Sequence, residues 1–197
     1  MAHSKDITIG VLALQGDFKE HISVFTSLGA SSIEVRSVDD LALTNALVIP
    51  GGESTVISKL LTLSGLRDAI INRYNKGNIA IFGTCAGAIL LAKNIVDSST
   101  VKSLEIMDIS IERNAYGRQS QSFRKEITLD DINKRIPVSF VRAPKIVSVG
   151  NDVLVLASLN DDPILVRQNN LLASTFHTEV TGVSDIHDIF LEMCAEL

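Results

Sequence analysis

Several residue types that mark particular protein classes are scarce in this sequence. Among its 197 residues there are two cysteines, four prolines and no tryptophan. The cysteines, Cys85 and Cys194, provide neither a disulfide framework nor the spacing of a zinc site, so we expect no metal. A lone thiol stays free in a reducing compartment, which fits the cytoplasm.

Basic charge and long apolar segments are also missing. Asp and Glu outnumber Lys and Arg by 23 to 18, so the chain has no basic footprint for nucleic acid. The longest apolar region, residues 80–92, is broken by two glycines and a threonine and is too short to span a bilayer. The apolar stretch Ile7–Leu14 is too short for a signal peptide. We therefore expect no nucleic-acid partner and no membrane partner.

Length and hydrophobic content fit one domain over residues 1–197, with 46% hydrophobic residues. In the first half, strand and helix patterns alternate, as where the apolar run Ala46–Ile49 precedes a helical pattern. The second half is richer in strands and ends in an amphipathic helix from Asp185 to Glu196. This order predicts an α/β fold with an open, mainly parallel, flavodoxin-like sheet and helices on both faces. Ligands gather at the carboxyl ends of the strands in such sheets.

Two predicted helices have specific boundaries. One begins at Asp17, with Glu20 as its capping-box partner, and ends at Gly29. The other runs from Ala86 to Ile95. Each would follow a predicted strand, and the loops that follow strands are where we expect the chemistry.

A glycine-flanked cysteine follows the predicted strand Ile79–Phe82. The segment Gly83-Thr84-Cys85-Ala86-Gly87 is the cysteine form of a nucleophile elbow, G-x-C-x-G, whose glycines avoid clashes in a sharp turn. Such a turn places the sulfur at a helix N-terminus, which favours the thiolate, and places the Ala86 N–H where an oxyanion would form. A small buried cysteine is the alternative. The position between strand and helix favours Cys85 as a nucleophile.

Among the four histidines, His177 is the best candidate for the base. It directly follows the predicted strand Leu171–Phe176, and Glu179 lies two positions later, on the same face of an extended chain. Glu179 can hold one ring nitrogen while the other faces Cys85, which is the arrangement of a catalytic triad. A surface turn is the alternative, and the nucleophile elbow elsewhere in the chain favours the triad.

The other histidines and the second cysteine have structural interpretations. His3 lies in a terminal segment that we expect to fray. His21 and His187 are predicted to be surface or half-buried helix positions. Cys194 lies at core spacing in the last helix, where we expect it to pack rather than react.

Another glycine-rich loop, Pro50-Gly51-Gly52-Glu53-Ser54, follows the buried run Ala46–Ile49. Adjacent glycines let backbone N–H groups approach a ligand closely and permit a peptide to flip. Such a loop could supply a second oxyanion donor, with Glu53 beside the substrate and suited to an α-ammonium group. A plain strand–helix turn is the alternative, because Gly-Gly turns are common.

Six stretches of the chain carry a family resemblance. The chain resembles class I, triad-type glutamine amidotransferases at Pro50–Ser54, Phe82–Gly87 and Phe176–Glu179. Within that group it is similar to the glutaminase subunit of the two-protein pyridoxal 5′-phosphate synthase, at Gly10–Asp17, Ile111–Gln119 and Phe140–Pro144. The motifs occur in the family's order, and the resemblance extends from about Ile7 to the last helix.

The resemblance implies a reaction and a set of roles. Glutamine would be hydrolysed to glutamate and ammonia through a thioester on Cys85, without a cofactor. His177 would shuttle protons, and Glu179 would orient its ring. The resemblance further assigns the oxyanion N–H groups to Gly52 and Ala86, and substrate contacts to Gly52, Glu53, Ser54, Arg113, Val141 and Arg142. An arginine fork suits the α-carboxylate of glutamine, with ordinary surface charge as the alternative for both arginines.

The resemblance also implies a partner. Ammonia would pass to a barrel-shaped synthase subunit within a large ring-like hetero-oligomer, which joins it to a pentose phosphate and a triose phosphate in vitamin B6 biosynthesis. Gln15, in the loop after the first strand, matches a position near this interface. We expect weak activity from the isolated chain, because the Gly51-Gly52 loop would need the partner to set its N–H group.

Two alternatives and one departure from the family pattern remain. The chain could serve another ammonia-using synthase, for example in histidine biosynthesis, although the stretches around Gln15, Arg113 and Arg142 argue against it. It could be an inactive regulatory subunit, which the complete set of triad residues argues against.

The family usually has proline at the position of Thr178, and threonine can adopt the same geometry without enforcing it.

Overall fold

The computed structural model describes residues 7–96, 100–113, 122–129 and 134–197, and two predictions fall outside them. These are His3 and residues 114–119 of the motif at 111–119. The strands are β1 (Thr8–Leu12), β2 (Ser31–Val35), β3 (Ala46–Ile49), β4 (Ala80–Thr84), β5 (Ala92–Ile95), β6 (Met107–Glu112), β7 (Phe123–Leu129), β8 (Lys134–Phe140), β9 (Lys145–Val149), β10 (Leu154–Leu159), β11 (Asp162–Gln168) and β12 (Leu171–Ser174). The helices are α1 (Phe18–Ser27), α2 (Val38–Ala42), α3 (Ser54–Leu63), α4 (Leu66–Asn75), α5 (Ala86–Leu91) and α6 (Asp185–Ala195). No helix in these ranges is long and apolar enough to cross a membrane.

Seven strands form a central sheet in the order β10-β11-β12-β4-β3-β1-β2. All neighbours from β12 to β2 pair in parallel, whereas β10 and β11 add an antiparallel edge. The order β2-β1-β3-β4-β12 is that of a doubly wound, flavodoxin-like sheet. The predicted α/β fold with a mainly parallel sheet is therefore confirmed.

Helices cover both faces of the central sheet, which explains why its inner strands are apolar throughout. Every residue of β3 is buried, because alternate side chains enter two different cores. Leu47 and Ile49 join the core beneath α3, α4 and α5. Ala46 and Val48 join the core beneath α1 and α6. The sheet is thus a layer buried on both sides, from whose edge the connecting loops emerge.

The predicted helix Ala86–Ile95 is too long. α5 ends at Leu91, and the next residues form β5, which pairs in parallel with β6 in a three-stranded sheet. The carbonyl of Leu90, in the last turn of α5, accepts from the Leu104 N–H at 2.7 Å. Tertiary pairing overrides the local helical pattern here, which the spacing of apolar residues could not reveal.

Besides β5, two short elements are not anticipated by the sequence patterns. α2 is a five-residue helix whose start is fixed by a capping box between Ser37 and Asp40. β9 pairs antiparallel with β6 in the three-stranded sheet.

Helix α1 begins directly after Asp17, but without the predicted capping box. Asp17 makes no side-chain capping hydrogen bond within the described residues. Its carboxylate oxygen Oδ2 lies 3.6 Å from His177 Nδ1 instead. The predicted end of the helix is confirmed, because Gly29 adopts the left-handed conformation, with φ +77°, that closes a helix.

Aligned strand ends define the edge at which the predicted site residues can meet. Ile49 at the end of β3 pairs with Gly83 of β4, and Ser174 at the end of β12 pairs with Thr84. The loops that follow β3, β4 and β12 therefore begin level with one another. The nucleophile, oxyanion and base segments predicted from the sequence all start at this carboxyl edge.

Gly87 should be intolerant of substitution for a steric reason. A Cβ atom there would lie 2.0 Å from the Ile49 carbonyl oxygen, which cannot move freely because Ile49 pairs within the central sheet. We predict that Gly87→Ala lowers the free energy of unfolding by about 3 kcal/mol, measured by urea denaturation. Gly77→Ala is the control, since its Cβ would meet nothing within 4 Å and only its positive φ costs about 1 kcal/mol. Equal losses in the two variants would contradict the steric explanation.

Candidate active site

Cys85 occupies a strained turn between β4 and α5. Its backbone angles, φ 48° and ψ −101°, lie in a region that non-glycine residues rarely adopt. The Cys85 N–H donates to the Ser174 carbonyl at 2.8 Å, and the Cys85 carbonyl accepts from the Ile89 N–H at 3.3 Å. Ala86 begins α5, so its N–H is one of the first-turn donors without a partner inside the helix. The thiol is therefore held beside a helix N-terminus.

His177 is placed by a bridge to β8. Its N–H donates to the Ser139 carbonyl at 2.8 Å, and the Ser139 N–H donates to the His177 carbonyl at 3.3 Å. Its Nδ1 lies 2.5 Å from Oε1 of Glu179, whose side chain is buried. Cys85 lines the same cavity as His177, and its interaction with the imidazole is one of the causes that raise the pKa of His177. The structure thus brings together the three residues predicted to form a triad.

The electrostatics of this cluster favour a charged imidazole. Burial opposes the charged form of His177, but hydrogen bonds to Cys85 and Glu179 outweigh burial and raise its pKa to about 10. Burial also opposes the charged form of Glu179, yet the hydrogen bond to His177 and the nearby His21 ring lower its pKa to about 2. At neutral pH, His177 can therefore hold a proton taken from the Cys85 thiol.

Asp17 is a site residue whose role the sequence analysis missed. Its Oδ2 lies 3.6 Å from His177 Nδ1, and burial raises the pKa of its carboxyl group. Asp17, His177 and Glu179 each place a potential metal-ligand atom within 4.8 Å of one another. Because His177 Nδ1 already binds Glu179 and a protonated imidazole has no lone pair to give, the cluster suits a proton better than a metal ion. A carboxylate in the loop after β1 is the signal that could have identified it.

The Gly51-Gly52 loop packs between His177 and the loop after β1. A Cβ atom on Gly51 would lie 2.3 Å from His177 Cε1, and one on Gly52 would lie 2.6 Å from Gln15 Oε1. The Gly51 carbonyl accepts from the Asp17 N–H at 3.1 Å, so the N–H of Gly52, across the planar peptide, points to the opposite side. Gly51 is thus required by its close approach to the ring and Gly52 by its φ of +158°, and the orientation of the peptide depends on the loop after β1.

Glu53 and Arg113 meet at the start of α3. The Glu53 carboxylate accepts from the N–H groups of Thr55 and Val56, at 3.2 and 2.9 Å, and thereby caps this helix. The guanidinium of Arg113 lies 3.7 Å from Glu53 Oε1 and 3.4 Å from Thr55 Oγ1. Ser54, the first residue of α3, is buried. An α-ammonium group would therefore have to share Glu53 with the helix start and with Arg113.

A cavity of about 400 Å³ lies above the Cys85 turn. Of the residues predicted for the site, Glu179 is absent from its lining and lies behind His177. The lining residues are Gln15, Gly16, Asp17, Gly52, Glu53, Ser54, Cys85, Ala86, Ile89, Arg113, Val141, Arg142 and His177. The Val141 carbonyl lies 3.9 Å from Cys85 Sγ. The nucleophile, the base, two arginines and the first residues of α3 and α5 thus line one volume, an arrangement that suits nucleophilic attack on a substrate carrying a carboxylate.

Two histidines predicted at surface or half-buried positions are instead buried. His21 of α1 and His187 of α6 are both 0% exposed, because their helices pack on the same face of the sheet. Cys194 packs into that core, as predicted, and burial raises the pKa of its thiol to about 12. The two buried histidines lie behind Glu179 rather than in the cavity.

Comparison with known proteins agrees with the motifs. Residues 11–196 match the SNO glutamine amidotransferase family. The chain is 49% identical over 187 residues to pyridoxal 5′-phosphate synthase subunit PdxT of Pseudothermotoga lettingae, covering 95% of both proteins. It is 46% identical over 185 residues to the subunit of the same name from a strain of Thermus thermophilus, covering 94% of this chain and 96% of the relative.

Solved structures are similar over the same length. A protein described as a glutamine amidotransferase, 44% identical, superposes with a TM-score of 0.91 and covers 95% of this chain and 98% of its own. PurLQS from Thermotoga maritima superposes with a TM-score of 0.66, covering 98% of this chain and 96% of its own. At 14% identity, that second likeness concerns the fold alone.

The His177–Glu179 bond should stabilise the protein most within a defined pH window. The lowered pKa of Glu179 gives a contribution that is present above pH 4.5 and lost as the pH falls towards about 2. The raised pKa of His177 gives a contribution that is present below pH 6.5 and lost as the pH rises through about 10. Glu179→Gln should therefore lower the free energy of unfolding most between pH 4.5 and 6.5, by about 1–3 kcal/mol.

Urea denaturation of both proteins across this pH range measures the difference. Glu192→Gln, which alters an exposed carboxylate on α6, is the control and should show no such window. A loss of stability in Glu179→Gln that stayed constant from acid to alkaline pH would contradict the ion pair.

Proposed function

Because the chain belongs to the SNO glutamine amidotransferase family, we propose that Cys85, His177 and Glu179 carry its hydrolysis of L-glutamine to L-glutamate and ammonia. The chain is a glutaminase, and its ammonia feeds the synthesis of pyridoxal 5′-phosphate, vitamin B6. One observation supports the residue assignment above the others. Cys85 and His177 line one cavity together with two arginines, and Glu179 binds the His177 ring from behind, at 2.5 Å from Nδ1.

The first half of the reaction uses the charges of the cavity. Arg113 and Arg142 hold the α-carboxylate of glutamine, since guanidinium forks bind carboxylates bidentately. The Cys85 sulfur attacks the side-chain amide carbon while His177 holds the thiol proton. The resulting oxyanion is stabilised by the N–H groups of Ala86 and, from the facing loop, Gly52.

The second half returns the enzyme to its starting state. The C–N bond breaks as His177 gives its proton to the leaving nitrogen, so ammonia departs and a thioester remains on Cys85. Water attacks the thioester carbon, with His177 accepting one proton, and glutamate leaves as the thiol is restored. Glu179 stays ionised and holds the ring of His177 throughout.

The chain works with a synthase partner, and the form of that partner is part of the proposal. We place it as a barrel-shaped subunit in a large hetero-oligomer, because free ammonia would otherwise be lost to solvent. We place Gln15 near this interface. Its Oε1 accepts from the Glu53 N–H at 2.8 Å and so links the loop after β1 to the Gly51-Gly52 loop. The Asp17 N–H holds the Gly51 carbonyl from the same loop. A partner that moved the loop after β1 would therefore reorient the Gly51-Gly52 peptide.

The proposal also covers the cellular compartment and the domain organisation of the chain. A reducing cytoplasm would keep the thiols of Cys85 and Cys194 free. Residues 1–197 would act as one glutaminase domain. The two alternatives considered from the sequence are disfavoured, because the relatives covering the chain are pyridoxal 5′-phosphate synthase subunits and the triad residues lie in contact.

Glutamine turnover should depend on both the nucleophile and the partner. The wild-type chain mixed with its synthase should release ammonia at least about tenfold faster than the isolated chain, because one oxyanion donor contributes that much or more. Cys85→Ser should release none above background in either state. Glutamate and ammonia formation, followed with and without the synthase, measures both effects.

Gln15→Ala tests how the partner acts. The variant removes the acceptor of the Glu53 N–H and should lose most of the stimulation by the synthase, while Lys19→Ala, at an exposed position on α1, should keep it. Equal rates for the wild type with and without the synthase would refute partner activation. Ammonia release by Cys85→Ser would refute the nucleophile.

The role of Thr178 can be tested by replacing it with the proline that the family usually has at this position. Its side chain is buried, and within the described residues its Oγ1 has no hydrogen-bond partner. Its carbonyl accepts from the N–H and the hydroxyl of Thr181, and proline would retain both bonds. Thr178→Pro should therefore keep glutaminase activity within roughly a few-fold of the wild type. A complete loss would mean that this turn cannot adopt the φ of about −65° that proline requires.

A further inference from the structure

A buried pair of histidines lies behind the proposed triad. His21 Nδ1 and His187 Nε2 are 2.9 Å apart, and the other nitrogen of His21, Nε2, lies 3.2 Å from Thr84 Oγ1. The same Nε2 lies 3.8 Å from Glu179 Oε2, beyond hydrogen-bond length but within electrostatic range. Oε2 is the carboxylate oxygen that does not bind His177, and among the described residues it has no hydrogen-bond partner. His21 therefore faces the unpaired oxygen of the triad carboxylate.

The surroundings of the two rings decide where their protons lie. If His21 carried its proton on Nδ1, it would donate to His187 Nε2, and the neutral His187 would carry its own proton on Nδ1. His187 Nδ1 is buried and has no hydrogen-bond partner in the described part of the chain, so that N–H would be unsatisfied. The same tautomer would turn the Nε2 lone pair of His21 towards the Glu179 carboxylate.

The opposite arrangement avoids both costs. His187 Nε2–H donates to His21 Nδ1, which places the proton of His21 on Nε2. That N–H then points to the Thr84 hydroxyl oxygen and towards Glu179 Oε2. His187 thus orients His21, and His21 presents a donor to the carboxylate.

Both rings act as neutral groups in this arrangement. Burial lowers the pKa of His21. Three charged groups face this ring: Glu179 and Glu20 oppose the shift, whereas His177 reinforces it. Burial, together with the His21 ring, lowers the pKa of His187 to about 3. His21 therefore acts on Glu179 as an N–H donor rather than as a cation, which leaves His177 as the charged partner of the carboxylate.

We infer that His21 is a positioning residue of the triad, whose Nε2–H, oriented by His187, attracts Glu179 Oε2 electrostatically, so that Oε1 keeps His177 in place for Cys85. Thr84 precedes the nucleophile and accepts from the same N–H, so one buried ring lies between the residue before Cys85 and the triad carboxylate. The inference rests on the proposed function, because it assigns His21 to the triad that this function requires.

Two variants at His21 separate positioning from packing. His21→Gln keeps an N–H donor near the Nε2 position, whereas His21→Leu keeps apolar bulk and removes the donor. Phe25→Leu is the matched control, because Phe25 is fully buried and its ring lies 4.9 Å from that of His187, outside the hydrogen-bonded chain. Full-length variants are assayed with the synthase for glutamine turnover and for the pH profile of Cys85 alkylation by iodoacetamide.

The donor-deleting variant should impair catalysis more than substrate binding. His21→Leu should lower kcat by about ten- to a hundredfold and keep KM within about threefold of the wild type. The acid limb of its alkylation profile should move to higher pH by about one unit, because a loosely held Glu179 supports the His177 imidazolium less well. His21→Gln should restore most of both properties, and Phe25→Leu should leave the alkylation profile unchanged.

Packing alone would give a different result. If His21→Leu matched Phe25→Leu in kcat and in alkylation profile, His21 would be a core residue only and the inference would be overturned. Nitrogen-15 NMR of the wild type tests the tautomer without a variant: a proton on Nε2 of His21 supports the inference, and one on Nδ1 overturns it. Absence of glutamine hydrolysis by the wild type would instead reject the proposed function, while the alkylation profile would still decide the role of His21.

Discussion

The buried hydrogen bond between His177 Nδ1 and Glu179 Oε1 is the interaction on which the charge state of the site depends. Burial alone would drive both groups to their neutral forms. Pairing at 2.5 Å reverses this, so that the imidazole keeps its proton and the carboxyl group stays ionised. With both groups neutral, burial would leave the Cys85 thiol near an imidazole with little capacity to hold a proton.

That pair matters only because the register of the sheet brings it to the thiol. β4 and β12 pair in parallel with Thr84 opposite Ser174, so the nucleophile and the base leave neighbouring strands at the same level. Close packing of the loops also explains the glycines around the site. Gly51 accommodates the ring of His177 as much as any ligand, because a Cβ atom there would lie 2.3 Å from Cε1. The glycines in this loop are thus needed for packing between loops, and they also let a substrate approach the backbone closely.

The sequence predicts those parts of the site that depend on local geometry. The elbow around Cys85 is read from the end of one strand and the residues that follow it, and the spacing of His177 and Glu179 from the end of another. β3 is predicted by a continuous apolar run. The contacts of His21 depend on how α1 and α6 rotate against each other, since His21 and its partner His187 are 166 positions apart. Asp17 illustrates the same limit. Its type and position suit a helix cap, and only the approach of the base segment from β12 turns its carboxylate towards His177.

The two halves of the site are therefore anchored differently, and this difference explains why a partner would act on one of them. The thiol, the base and its carboxylate are tied to the central sheet and to buried side chains, whose rearrangement would disturb the core. The Gly51-Gly52 peptide is tied through Asp17 and Gln15 to a loop that lines the open cavity. Loops held by a few hydrogen bonds have lower local stability than packed strands, so the energy of docking can reorient them. The proposed synthase would thus complete the oxyanion site while leaving the charged pair, already set by the fold, unchanged.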